Sequence, residues 1–204
     1  MGEIRRLIIA RHGNTFTADE TPRRVGRRTD LPLTQTGREQ AIRLGAHLRA
    51  RALVPDHVIA ATLKRTQETA QLATNSQAIE TDQRFDEIDY GPDENQEEAT
   101  VIARVGEQAM SDWNAHAIPP EGWAMDPDQI IQDWQDLAKE TVTQPHQTTL
   151  LVTSNGIARF APHITGDFKE FAEKHPLKLA TGALGVLEHK DGQWHVREWN
   201  TRPK

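Results

Sequence analysis

Cysteine is absent from this 204-residue sequence. That excludes disulfides, a thiolate zinc site and a thiol nucleophile. No apolar run reaches the length of a signal-peptide core or a membrane-spanning helix. Gly2 is followed by Arg6 where an N-myristoylation signal needs Ser or Thr. Positive charge is not in excess: a net charge of −6 and a pI near 5.8 give no electrostatic case for a nucleic-acid partner. No His-Glu-x-x-His pattern offers a metal site, so no metal or other cofactor is expected. Mean hydropathy is low, at −0.68, but five tryptophans and clear periodic segments argue against disorder. No repeat or linker divides the chain, so a single domain over residues 1–204 is expected, soluble and cytoplasmic, with no membrane partner. The oligomeric state is not legible.

What the sequence does contain is concentrated around residues 7–15. Residues 7–10, Leu-Ile-Ile-Ala, form a short apolar run that reads as a buried strand. Arg11 and His12 stand side by side at its end, and Gly13 permits a sharp turn or a close backbone approach. In open α/β sheets, ligands bind just beyond the carboxyl ends of strands. The arginine-rich loop that follows (Arg23, Arg24, Arg27, Arg28) reads equally as a solvated loop or as a basic rim for an anionic substrate.

Further along, Ala41, Leu44, Leu48 and Ala52 recur at helical spacing, with Thr34 or Thr36 as the cap. Residues 57–61 read as a second strand. A helix over residues 63 to about 73 carries Arg65 in its first turn, where unpaired N–H groups and the helix dipole favour an anion. Residues 78–85 read as a weak strand, and the carboxylates after it, Glu87 apart, as solvated. Residues 93–145 read as a helical insertion beside the site. In it, Trp113, Pro119-Pro120 and Trp123 mark a loop, and Asp126-Pro127 with Gln129 opens a second helix by a capping-box pattern. Residues 149–153 read as a buried strand ending in Ser154-Asn155-Gly156. Residues 182–188 and 194–199 alternate as a hairpin about Asp191-Gly192.

Four groups of residues occur in order: Arg11-His12-Gly13; Gly26 with Asp30-Leu31-Pro32-Leu33-Thr34 and Gly37; Leu63-Lys64-Arg65-Thr66 through Ala70; and Phe85-Asp86-Glu87 with Gly91. Together they resemble the histidine phosphatase superfamily, the phosphoglycerate mutase-like proteins, over nearly the whole chain. The resemblance implies an α/β domain with a mostly parallel mixed central sheet flanked by helices and a helical insertion over the active site. It implies a metal-independent phosphomonoester hydrolase acting through a phosphohistidine on His12. Glu87 would protonate the leaving alkoxide, and Arg11 and Arg65 would hold the phosphoryl oxygens. Asn14 and Thr15 would contact the substrate, a phosphorylated small molecule or a phosphoprotein.

The chemistry is coherent in its own right. A neutral imidazole attacks phosphorus well if one ring nitrogen is held by a backbone carbonyl. Phosphoryl transfer asks mostly for positioning and charge compensation. A carboxylic acid protonates the leaving group only if it keeps a proton near neutrality. One departure stands out. The family normally has a second histidine where this sequence has Asn155, and a position after Arg-His-Gly that many relatives fill with Asn is Ala18 or a neighbour here. Losing such a donor removes about 2.7–4 kcal/mol of transition-state stabilisation, part of which Asn155 can restore as a phosphate donor. The alternative is a catalytically impaired protein that binds a phosphorylated ligand or partner. A mutase is disfavoured by the absent second histidine and by chain length.

Overall fold

The computed structural model describes residues 4–76 and 78–204; Gly2 lies outside the described residues. Six strands form one mixed sheet: β1 (Arg5–Arg11), β2 (His57–Ala60), β3 (Glu80–Thr81), β4 (Thr148–Thr153), β5 (Leu184–Lys190) and β6 (Gln193–Thr201). Their spatial order is β3-β2-β4-β1-β5-β6. The first four run parallel, β5 is antiparallel to β1, and β6 is antiparallel to β5. Leu7 to Ala10 are apolar without interruption because β1 lies inside the sheet with both faces covered; all four are fully buried.

The period-two alternation of β1 divides its side chains between two cores. Ile8 and Ala10 face Leu44 and Leu48 of helix α1 (Gln35–Ala50) and Ala70 and Ala73 of helix α2 (Lys64–Thr74). Leu7 and Ile9 join the opposite core with Phe85, Trp134, Leu137 and Phe160. Thr34 caps α1 by accepting from Gly37 N at 3.1 Å, which settles the choice between the two threonines. The β5–β6 hairpin turns at Asp191-Gly192 with positive φ at both residues, 53° and 83°.

The insertion divides in two. Helices α3 (Glu98–Val105) and α4 (Glu107–His116) border the cleft described below, whereas α5 (Pro127–Thr143) lies against the sheet. Trp134 on α5 is fully buried and donates from Nε1 to Ile157 O at 3.0 Å, so this helix is a core layer and not a cover. Asp126 caps it as expected, but Gln129 turns to Asp133 instead of completing the reciprocal box.

Three other expectations are corrected. Trp113 stands within α4, not in a loop. Residues 78–85 pair only at Glu80–Thr81 and then tighten into a 3₁₀ turn. Two of the carboxylates after Phe85 are buried, not solvated. Asp86 accepts from Thr62 N at 2.7 Å, fixing the β2–α2 connection, and Asp93 pairs with Arg104 and accepts from Trp123 Nε1. Both lie where backbone or indole donors needed a buried acceptor. Among the described residues, no helix is long and apolar enough to cross a membrane.

Candidate active site

β1 and β4 end side by side, with Arg11 opposite Thr153. The residues just beyond, His12 and Asn155, therefore meet at the carboxyl edge of the sheet. Both line a cleft of about 700 Å³, together with Arg11, Asn14, Thr15 and Glu87.

His12 is 6% exposed. Its Nδ1 lies 2.7 Å from Gly13 O. A carbonyl can only accept, so Nδ1 carries the proton and Nε2 keeps its lone pair. Arg65 Nε donates to that nitrogen at 3.2 Å. Burial, then the charges of Arg65 and Arg11, hold the imidazole well below its ordinary pKa of 6.5, against a small opposing push from the Gly13 bond. The ring is thus neutral where it needs to be nucleophilic.

That depression links the site to stability. Below 6.5 the unfolded chain takes a proton on His12 that the folded chain resists. Stability is then full above this pH, declines as pH drops below it, and levels off only at the depressed folded value. Urea midpoints are expected to decline between about pH 7 and pH 5, less steeply in His12→Gln than in the wild type. Parallel curves for the two proteins would refute a buried neutral imidazole.

Arg65 is fully buried at the start of α2. Its Nη1 donates to Thr29 O at 2.9 Å and its Nη2 to Gly26 O at 3.2 Å, so loop carbonyls occupy the ends of the guanidinium. Only Nε faces the imidazole, and the two-pronged grip on a phosphoryl group expected from sequence is not the geometry present. The open helix terminus is also filled: Asp30 Oδ1 accepts from Lys64 N at 2.8 Å. Arg11 reaches the same point from β1. Its Nη1 donates to Leu179 O at 2.8 Å, while Nε is buried with no partner among the described residues.

Leu179 serves Asn155 as well. Its N–H donates to Asn155 Oδ1 at 3.0 Å. Since an N–H must meet an oxygen, the amide orientation is fixed, and the NH₂ group is the end left for the cleft that Asn155 lines. Asn155 is therefore aimed as a neutral donor.

Glu87 is 4% exposed. Oε1 accepts from Ile88 N at 2.9 Å and Oε2 from Gly156 N at 3.1 Å, which fixes the plane of the carboxyl group. The Tyr90 phenol is buried beside it; burial and then the Glu87 charge raise the phenol's pKa. Gly156 makes this possible, because a Cβ there would stand 2.2 Å from Glu87 Oε1. Gly13 has a different task from the ligand approach considered above. A Cβ on it would fall 2.3 Å from Gly37 O, so its bareness lets the His12 loop lie against the first turn of α1.

The arginine-rich loop lines the cleft through Arg23 and Arg24. Arg24 stacks on Tyr90 and Trp123 and pairs with Glu98 of α3. Trp113 forms part of the wall and Trp123 lies behind it. Sequence reasoning missed Tyr90, Arg159 and Lys178, which also line the cleft. Arg159 carried a faint signal: an arginine in the apolar run 157–160, four residues after Asn155.

The description "Histidine phosphatase superfamily (branch 1)" matches residues 7–202. A protein of Erwinia tasmaniensis named "Probable phosphoglycerate mutase GpmB" is 26% identical over 199 residues, covering 95% of this chain and 89% of its own. In fold, the chain is similar to a mycobacterial glucosyl-3-phosphoglycerate phosphatase, with a TM-score of 0.78, 20% identity and coverage of 97% and 99% of the two chains. It is likewise similar to the alpha-ribazole phosphatase of Shigella flexneri, with a TM-score of 0.73, 23% identity and coverage of 97% and 96%. With a histidine at the end of the first strand and arginines converging on it from two elements, the chain belongs to the histidine phosphatase superfamily.

Proposed function

We propose that this protein is a phosphoryl-transfer enzyme that hydrolyses phosphate monoesters through a phosphohistidine on His12, without a metal. The observation that carries this reading is the fixed tautomer of His12: Nδ1–H held by Gly13 O, and an Nε2 lone pair beside Arg65. Nε2 attacks phosphorus, the ester P–O bond breaks, and Glu87 gives its proton to the departing oxygen. The resulting carboxylate then takes a proton from water as that water attacks phosphorus. The P–N bond breaks, and inorganic phosphate leaves with His12 restored. Arg11, Arg65 Nε and the Asn155 amide compensate charge on the equatorial oxygens. Asn14 and Thr15, on the wall next to His12, contact the remainder of the substrate.

A cleft of about 700 Å³ suits a phosphorylated small molecule. Chain length does not disfavour a mutase, since this chain spans 89% of the relative named as one. The single neutral donor at Asn155 favours hydrolysis or impaired turnover over a mutase cycle. The test is hydrolysis of an aryl phosphate in excess chelator, with an acid-labile phosphoenzyme trapped during turnover. Vanadate binding with neither turnover nor phosphoenzyme would instead support a phosphate-binding protein without catalysis, the reading that Asn155 keeps open.

A further inference from the structure

His12 is held at both ring nitrogens, and the two groups that hold it come from different parts of the chain. Gly13 O accepts from Nδ1 at 2.7 Å, and Arg65 Nε donates to Nε2 at 3.2 Å. Gly13 lies just beyond β1, and Arg65 lies on the first turn of α2. The ring stays gripped at both ends only if these two elements keep a fixed relation. Thr69 touches both.

Thr69 follows Arg65 by one helical turn, on the same face of α2, and is fully buried. Its hydroxyl has one proton to give and lone pairs to accept with. Arg65 O can only accept and Gly13 N–H can only donate, so the direction of both bonds is fixed. The hydroxyl donates to Arg65 O at 2.7 Å and accepts from Gly13 N at 3.1 Å. The contacts close a circuit. It runs from Nε2 to the Arg65 guanidinium, through the Arg65 main chain to Thr69, on to Gly13, and back from Gly13 O to Nδ1. The backbone of His12 is anchored separately: its N–H donates to Thr153 O and its carbonyl accepts from Gly182 N, each at 3.1 Å. The end of β1 therefore does not hang on Thr69. The direction of the Gly13 carbonyl does, because a buried N–H that loses its acceptor turns to find another. Bonding back to the carbonyl four residues earlier does not strengthen a helix, so the benefit of this hydroxyl lies at Gly13.

We infer that Thr69 is a positioning residue for the chemistry of His12: by locking Gly13 to the Arg65 turn, its hydroxyl aims the Gly13 carbonyl at Nδ1 and keeps the Nε2 lone pair directed at phosphorus. The inference deepens the phosphohistidine reading and rests on it for the direction of attack. Thr69 is sealed from solvent, so it meets no substrate and acts only through Gly13 and Arg65.

Thr69→Val removes the hydroxyl at nearly constant shape, and Thr69→Ser retains it. The full chain, made with isotope-labelled histidine, would be compared by NMR, the His12 signals being those missing from His12→Gln. Wild type and Thr69→Ser are expected to show a protonated Nδ1 whose proton is far downfield and slow to exchange. In Thr69→Val that proton should move upfield or be lost to exchange with water. In aryl phosphate hydrolysis, Thr69→Val should lower kcat about ten- to a hundredfold and leave the inhibition constant of inorganic phosphate within about threefold. Phosphate still binds because Arg11 and Asn155 are oriented by the backbone of Leu179. Thr69→Ser should keep kcat within about threefold of wild type. An Nδ1 proton absent from wild type or unchanged in Thr69→Val would overturn the inference. So would a kcat that does not fall in an active protein, or a Thr69→Ser as impaired as Thr69→Val. Loss of phosphate binding together with turnover would mark general damage to the cleft and overturn it too. Should Thr69→Val fail to fold, as judged by near-ultraviolet circular dichroism, Thr69→Ser against Thr69→Ala decides; if Thr69→Ala is also unfolded, the hydroxyl is structural and the inference fails. The NMR change in a protein with no His12-dependent turnover would overturn the phosphatase reading and leave the positioning of the ring by Thr69 standing.

Discussion

Replacing His12 with alanine is expected to lower aryl phosphate hydrolysis by at least about a thousandfold, because the variant loses the phosphoryl acceptor and not merely one donor. No neighbour can substitute. Arg11 and Arg65 are cations, and the Glu87 oxygens are tied to Ile88 N and Gly156 N. The trapped phosphoenzyme should vanish along with turnover. Vanadate should still bind, held by Arg11 and Asn155, which reach the site independently of the imidazole. The measurement is turnover and trapping on one preparation of wild type and variant. Residual activity above one per cent of wild type would mean that another group attacks phosphorus.

The second large effect is a gain. Asn155→His is expected to raise turnover on the order of ten- to a hundredfold. The side chain at this position is oriented by Leu179 N–H, which requires an acceptor. An imidazole can meet that need through Nδ1 and extend Nε2–H into the cleft, further than the Asn amide reaches. With Nδ1 occupied as an acceptor, the ring donates as a neutral group. The gain therefore comes from reach and alignment, with a full positive charge available only if the Leu179 bond is surrendered. A rise in kcat dependent on His12 would establish the wild type as a weakened enzyme. No rise, with vanadate still bound, would show that the limitation lies elsewhere in the cleft.

Much of the scaffold could be read in advance because its signals are local. The buried run of β1, the Asp126-Pro127 helix start and the Asp191-Gly192 turn each depend on a few adjacent residues. Asp86 and Asp93 misled, since a carboxylate in an acidic stretch reveals nothing about the donor that folds onto it. Here those donors were Thr62 N and the Arg104 and Trp123 side chains. The convergence of Arg65 on His12 followed from the motif, but which guanidinium nitrogen faces the ring depends on where the carbonyls of Gly26 and Thr29 lie. Arg159 was hidden for the same reason. Its burial is set by Trp113, 46 residues away on the inserted helix.

The backbone of Leu179 touches the site on both sides, giving its oxygen to Arg11 and its N–H to Asn155. Neither contact involves the leucine side chain, which is buried away in its own right. Information about where the phosphate ligands stand is thus stored in a path of the main chain, without a signature residue. Relatives could rewrite that loop letter by letter and keep the site, provided the trace survives and residue 179 is not proline, which would remove the N–H. A search for functional positions by residue identity alone would pass over the backbone at residue 179, which aligns both.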